Sequence, residues 1–187
     1  MIIKTILLGS SGFIGKGISK YLIKSKFKFF KYNSKNLNLL NLKLTRKTFN
    51  NIKNNYALII SSAVIDKNHN NKKNAKKNIL MIENIIKSVD RQKLKKIIFL
   101  STTDVYGKKH KSKINENSKI NPQSEYAKSK LICEKKLKLF CKDIPLVILR
   151  LPGIYGYEDN FKSTIGNLFK QSIFDKEILL NKDGKEK

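Results

Sequence analysis

The stretch GSSGFIG, residues 9–15, directly follows the apolar run MIIKTILL at residues 1–8. Three glycines spaced three apart at the exit of an apolar run are placed for backbone rather than side-chain reasons. One reading is a tight turn. The other is a phosphate cradle at a strand–loop–helix junction, where loop amides and the positive end of the helix face a pyrophosphate. Gly9 would then allow the turn, Gly12 the approach of backbone to phosphate, and Gly15 close packing of helix on strand.

Apolar runs predict strands at residues 2–8, 27–32, 57–61, 96–101 and 146–150. Most are near-continuous, as expected of parallel strands buried on both faces. Segments with helical spacing lie between them. Phe13, Ile14, Ile18, Tyr21 and Leu22 form one stripe of a first helix. Ile79, Ile82, Ile85, Ile86 and Val89 form another, over residues 72–90. Residues 126–141 predict a further helix, and residues 45–54 a weaker one. This alternation predicts an α/β fold, a doubly wound parallel sheet of the Rossmann type. Residues 107–123 are polar and aperiodic, and read as a long functional loop.

The chain has 187 residues and a formal charge of +26. Of its 40 basic residues only Arg46, Arg91 and Arg150 are arginine, and Lys, Asn and Ile together make nearly half the chain. An A/T-rich coding bias accounts for that composition without a polyanionic partner. The densest basic run, residues 68–78, has no aromatic to stack on bases, so no specific nucleic-acid partner is expected. No apolar run is long enough to span a bilayer, and the N-terminus lacks the pattern of a signal peptide. The expectation is a cytoplasmic protein without a membrane partner. Cys133 and Cys141 read as unpaired thiols, and His69 and His110 as isolated, so no metal site is expected.

Two further segments carry chemistry. In YAKSK, residues 126–130, Tyr126 and Lys130 share one helical face. A nearby ammonium lowers a phenol's pKa and makes Tyr126 a candidate general base. In FLSTTDVYG, residues 99–107, hydroxyls appear where a strand leaves the sheet, the edge at which open α/β sheets bind ligands. Taken singly, an amphipathic helix and a polar strand exit explain both.

Taken together, in this order and these contexts, the three segments resemble the extended short-chain dehydrogenase/reductase family, the NAD(P)-dependent sugar epimerases and dehydratases. The resemblance implies a Rossmann-type domain at residues 1–156 and the start of an incomplete substrate-binding domain at 157–187. It implies Thr102, Tyr126 and Lys130 as catalytic residues. Tyr126 would be the base, Lys130 would bind the nicotinamide ribose and hold the Tyr126 pKa down, and Thr102 would orient the substrate hydroxyl. It places Gly9, Ser11, Gly12, Phe13, Ile14, Gly15, Asn33, Ser34, Lys35, Ser62, Ala63 and Asn78 at the cofactor. Tyr126, Lys130, Pro152 and Gly153 would join them there, the last two from LRLPGIYG. Thr103 and Asp104 would meet the substrate, a nucleoside-diphosphate sugar. Homodimers are common in that family.

Three departures shape the expectation. The predicted second strand ends in Asn33, Ser34 and Lys35, with no carboxylate for an adenosine ribose; of NAD and NADP this favours NADP. The two acids that follow the catalytic Thr in sugar dehydratases are reduced to Asp104 alone, which favours an epimerase or reductase serving surface-polysaccharide synthesis. Finally, 187 residues are fewer than such enzymes have. The alternative is a non-catalytic NAD(P)-binding protein or an inactive fragment.

Overall fold

A computed structural model describes residues 3–65, 69–107, 113–156 and 164–174. The chain divides into two compact units, Met1–Pro152 and Gly153–Lys187. The first contains β1 (Lys4–Leu8), α1 (Phe13–Lys24), β2 (Phe29–Tyr32), α2 (Leu42–Asn50), β3 (Tyr56–Ile60), α3 (Lys72–Ile86), β4 (Leu94–Thr102), a 3-10 turn (Thr103–Tyr106), α4 (Glu125–Phe140) and β5 (Leu146–Leu151). Within the second, α5 spans Thr164–Ile173.

The five strands form one parallel sheet in the order β2-β1-β3-β4-β5. Strands β1, β3 and β4 are central, and Ile6, Leu8, Leu58, Ile60, Ile97 and Phe99 are almost wholly removed from water. Together with Met81, Ile82 and Ile85 of α3 and Cys133 and Leu137 of α4 they form one core cluster. The register Leu8↔Ile60 brings the carboxyl ends of β1 and β3 level, so the loops leaving both strands meet at one edge.

The edge strands depart from the continuous burial expected of this sheet. Among the described residues β5 pairs with β4 alone. Val147 and Leu149 accordingly face outward while Ile148 and Arg150 are partly covered. At the other edge, β2 starts at Phe29 rather than at residue 27. Phe27 follows the turn at Ser25 and Lys26, where Lys26 has φ 56°. Lys28 and Lys31 flank this open edge, a charge pattern that discourages edge-to-edge pairing.

Helix boundaries follow their caps. Asn41, Asn71 and Ser124 accept hydrogen bonds from the amides of Leu44, Asn74 and Ala127, starting α2, α3 and α4. The Asn41 cap places α2 three residues before the expected start. Helix α3 ends at Ile86, short of residue 90, where the Ser88 amide turns back to the Ile85 carbonyl at 2.9 Å. The α1 stripe excludes Tyr21, which is 69% exposed; Gly15 and Ser19 are that helix's buried residues.

Candidate functional site

The residues of GSSGFIG form the loop between β1 and α1, and each glycine answers to a different neighbour. Gly9 has φ +87°, and a Cβ there would lie 2.5 Å from the Ser62 amide nitrogen. A Cβ on Gly15 would run into the Gly9 carbonyl oxygen. Both positions are therefore closed by the protein itself. Gly12 is not: the nearest atom to a Cβ there is the Gly9 carbonyl oxygen at 3.5 Å. The amides of Gly9 and Ser10 both donate to the Tyr32 carbonyl, which ties the loop to the end of β2.

Helix α1 is also started differently from the next three. Its N-cap is Gly12, with no side-chain cap; like α2 and α3 it has no acidic residue in the first turn. The amides of Phe13, Ile14 and Gly15 have no carbonyl four residues back within the helix. The helix thus presents open donors and the positive end of its dipole. A groove of about 280 Å³ opens there, lined by Ser11 and Gly12 of the loop, Asn33 and Ser34 after β2, and Ser62 and Ala63 after β3. Among the described residues the buried Ser62 hydroxyl has no hydrogen-bond partner. An orphaned hydroxyl, a glycine with room beside it and an uncapped helix end all suit a dinucleotide.

Of the expected cofactor residues, Gly9, Ser11, Gly12, Asn33, Ser34, Ser62 and Ala63 line that groove, whereas Phe13, Ile14, Gly15, Lys35, Asn78, Tyr126, Lys130, Pro152 and Gly153 do not. Asn78 is buried on α3, where its side chain donates to the Val64 carbonyl at 3.0 Å and accepts from the Val64 amide at 2.7 Å. Its amide is thereby committed to shaping the loop after β3. The Lys35 amide donates to the Asn33 side-chain oxygen in an exposed turn. Asn36 donates to that same oxygen, so the Asn33 side chain is turned back onto its own loop. Pro152 closes the first unit and Gly153 opens the second.

Thr102 is the last residue of β4, and its hydroxyl accepts from the Asp104 amide, capping the 3-10 turn. The Thr103 hydroxyl faces the Leu151 carbonyl of β5 at 3.5 Å. Tyr126 occupies the first turn of α4 and Lys130 the next. Burial pushes the Tyr126 hydroxyl up to about 12, with the charge of Asp104 adding to the rise. This differs from the expected depression by Lys130. The Lys130 ammonium sits over the Phe99 ring, 4.1 Å from its centroid, and burial holds it down to about 8.

His69, expected to be isolated, is part of this cluster. Its ring lies against that of Tyr126, with centroids 5.2 Å apart and planes tilted by 56°. Its Nδ1 is 3.7 Å from an Asp104 carboxylate oxygen. The Tyr126 amide donates to the His69 carbonyl, and the Glu125 amide to the Asn70 side chain. No local pattern marks His69, because the loop that carries it meets α4 only through the parallel crossover. Its place at the carboxyl edge of β3 was the one available clue.

Behind Thr102 lies a buried ionic network that sequence reading also missed. The Glu134 carboxylate accepts from the Ser101 hydroxyl at 2.5 Å and from Arg150 at 3.1 and 2.6 Å. Arg150 donates further to the Tyr106 hydroxyl at 2.8 Å. Hydrogen bonding to Glu134 raises the already high guanidinium pKa. A groove of about 840 Å³ runs along β5 between Ile144 and Leu151, with Thr103 and Tyr106 at one side.

Fold and loop together define a Rossmann-type nucleotide-binding unit. Residues 5–187 match the model of the NAD dependent epimerase/dehydratase family, and the chain belongs to that family. It is 28% identical to a Bacillus subtilis protein described as an uncharacterized UDP-glucose epimerase, covering 98% of this chain and 66% of that one. The UDP-glucose 4-epimerase of Thermotoga maritima, solved with UDP-glucose, superimposes with a TM-score of 0.86 at 18% identity, over 98% of this chain and 67% of that one. A dTDP-4-dehydrorhamnose reductase from Clostridium acetobutylicum gives 0.71 at 26% identity, over 90% and 60%. The chain thus spans about two thirds of the length of such relatives. No helix among the described residues is long and apolar enough to cross a membrane.

Proposed function

We propose that this chain forms the cofactor-binding part of an NAD(P)-dependent nucleotide-sugar epimerase or reductase, the activities named for its relatives. The observation that carries the reading is the uncapped start of α1, which shares one groove with open Gly12 and the orphaned Ser62 hydroxyl. Ser11, Gly12 and the first amides of α1 would hold the pyrophosphate, and Asn33 and Ser34 the adenosine ribose. The bound nicotinamide supplies a hydride acceptor and donor. Residues after 157 would begin the pocket for the sugar nucleotide.

Tyr126 removes the proton from the sugar hydroxyl in the oxidative direction and returns it in the reductive one. Thr102 keeps its own hydroxyl hydrogen free to donate, since its oxygen is the group that accepts from Asp104. Lys130 acts as a cation close to the helix face of Tyr126, and its low pKa leaves it mainly charged at neutral pH. Thr103 stands where dehydratases carry an acid, which favours epimerisation or reduction over dehydration.

NADP is the better match of the two cofactors. The Asn33 oxygen is used within its own turn, which leaves that side chain only N–H donors to offer. Donors suit a 2′-phosphate, whereas ribose hydroxyls call for an acceptor.

Calorimetric titration of the chain with NAD and NADP tests the reading. Saturable binding, tighter for NADP, is expected. Absence of binding to either by a folded chain would overturn it.

A further inference from the structure

We propose that His69, held by Asp104, is a positioning residue that couples the phenol of Tyr126 to solvent pH. The inference rests on the proposed role of Tyr126 and adds a residue that the sequence motif does not contain.

Three contacts fix the arrangement. The imidazole packs on the phenol ring, its Nδ1 faces the Asp104 carboxylate, and the His69 carbonyl receives the Tyr126 amide. His69 has φ 55°, a backbone conformation uncommon outside glycine, asparagine and aspartate. Imidazole and carboxylate are each about half exposed, at 42% and 50%, so protons reach them from water while Tyr126 is partly buried behind them.

The electrostatics give this contact a consequence. The negative charge of Asp104 opposes ionisation of Tyr126. An imidazolium in contact with both would offset that charge and favour the phenolate; a neutral imidazole would not. Histidine changes charge between pH about 5 and 8. Other charged groups at this corner, among the described residues, are Lys130, one helical turn from Tyr126, Glu125, which neighbours Tyr126, and its partners Lys128 and Lys72. Glu125 and Lys128 pair with each other at 2.9 Å, and among the described residues the imidazole pairs with Asp104.

The test is a pH titration of the full chain carrying tyrosine labelled with carbon-13 at Cζ, with Tyr126→Phe identifying the signal among seven tyrosines. The wild-type Tyr126 signal should show a step between pH about 5 and 8, well below phenol ionisation. His69→Asn, which tolerates the positive φ, and His69→Phe, which keeps an aromatic ring, should both abolish the step. No step in the wild type, or a step that survives in either variant, overturns the proposal. Titration of the same samples with NADP separates this outcome from the functional reading. Lost cofactor binding with the step intact would count against the reading of function alone. Intact binding without the step would count against His69 alone.

Discussion

The guanidinium of Arg150 and the carboxylate of Glu134 form a two-pronged ion pair, through Nε at 3.1 Å and Nη2 at 2.6 Å, with Glu134 only 1% exposed. Through it the last residues of β5 are locked to α4 one turn beyond Lys130. The Ser101 bond extends the lock to the residue before Thr102, and the Tyr106 bond to the turn that carries Asp104. One ion pair thus ties β5 and the 3-10 turn to β4 and α4, the two segments that bear the proposed catalytic groups.

Removing one member of that pair should be costly. Glu134→Ala leaves Arg150 largely buried without its counterion, and a loss of about 3 kcal/mol is expected. The double variant Glu134→Ala/Arg150→Met should be less destabilised than Glu134→Ala alone, because no unpaired charge remains. Urea denaturation of the variants measures both.

Lys130 makes stability depend on pH. Its folded pKa of about 8 lies below the ordinary value of 10.5, so the unfolded chain binds more protons between those values. Stability from this group therefore rises as pH rises from about 8 to 10.5. Burying the charged form costs about 3 kcal/mol at neutral pH. Lys130→Met should be the more stable protein at pH 7, with its advantage shrinking by pH 10. Denaturation midpoints at the two pH values check the sign.

The three loop glycines should separate by variant. Gly12→Ala meets nothing closer than 3.5 Å and should keep the melting temperature within a few degrees while weakening cofactor binding about tenfold or more. Gly15→Ala collides with the Gly9 carbonyl and should lower the melting temperature or prevent folding. Thermal melts alongside calorimetry distinguish the two.

Asn33→Asp should reverse the cofactor preference. A carboxylate at the end of β2 accepts from both ribose hydroxyls and repels a 2′-phosphate. The ratio of NADP to NAD affinity is expected to fall by about tenfold or more, read by titration of each cofactor.

Asp104→Asn should bring the ionisation of Tyr126 below the present value of about 12, since the Asp104 charge is one cause of its rise. Burial, the larger cause, remains, so the change is partial. Ultraviolet titration against Tyr126→Phe isolates this tyrosine.

Much of this protein was legible in its local patterns. Apolar runs alternating with helical stripes specified a parallel α/β sheet, because strands buried on both faces and crossover helices leave different periodicities. The glycine spacing marked the strand–loop–helix junction, because the positive φ of Gly9 and the packing of Gly15 on the Gly9 carbonyl each exclude a side chain. Helices α3 and α4 begin within one residue of their expected starts, whereas the Asn41 cap starts α2 three residues early.

The rest was decided by contacts between distant segments. Asn70 and Glu125 stand 55 residues apart, yet their bond and that of His69 to Tyr126 build the corner of the candidate site. The pairing of Glu134 with Arg150 is invisible until β5 lies beside β4. Tyr126 and Lys130 share a helical face in the sequence, but the core around α4 directs the ammonium over Phe99 and leaves the phenol with a raised pKa. Periodicity says which face of a segment is buried. Only the folded sheet says what that face meets, and the dielectric and charges met there set the chemistry.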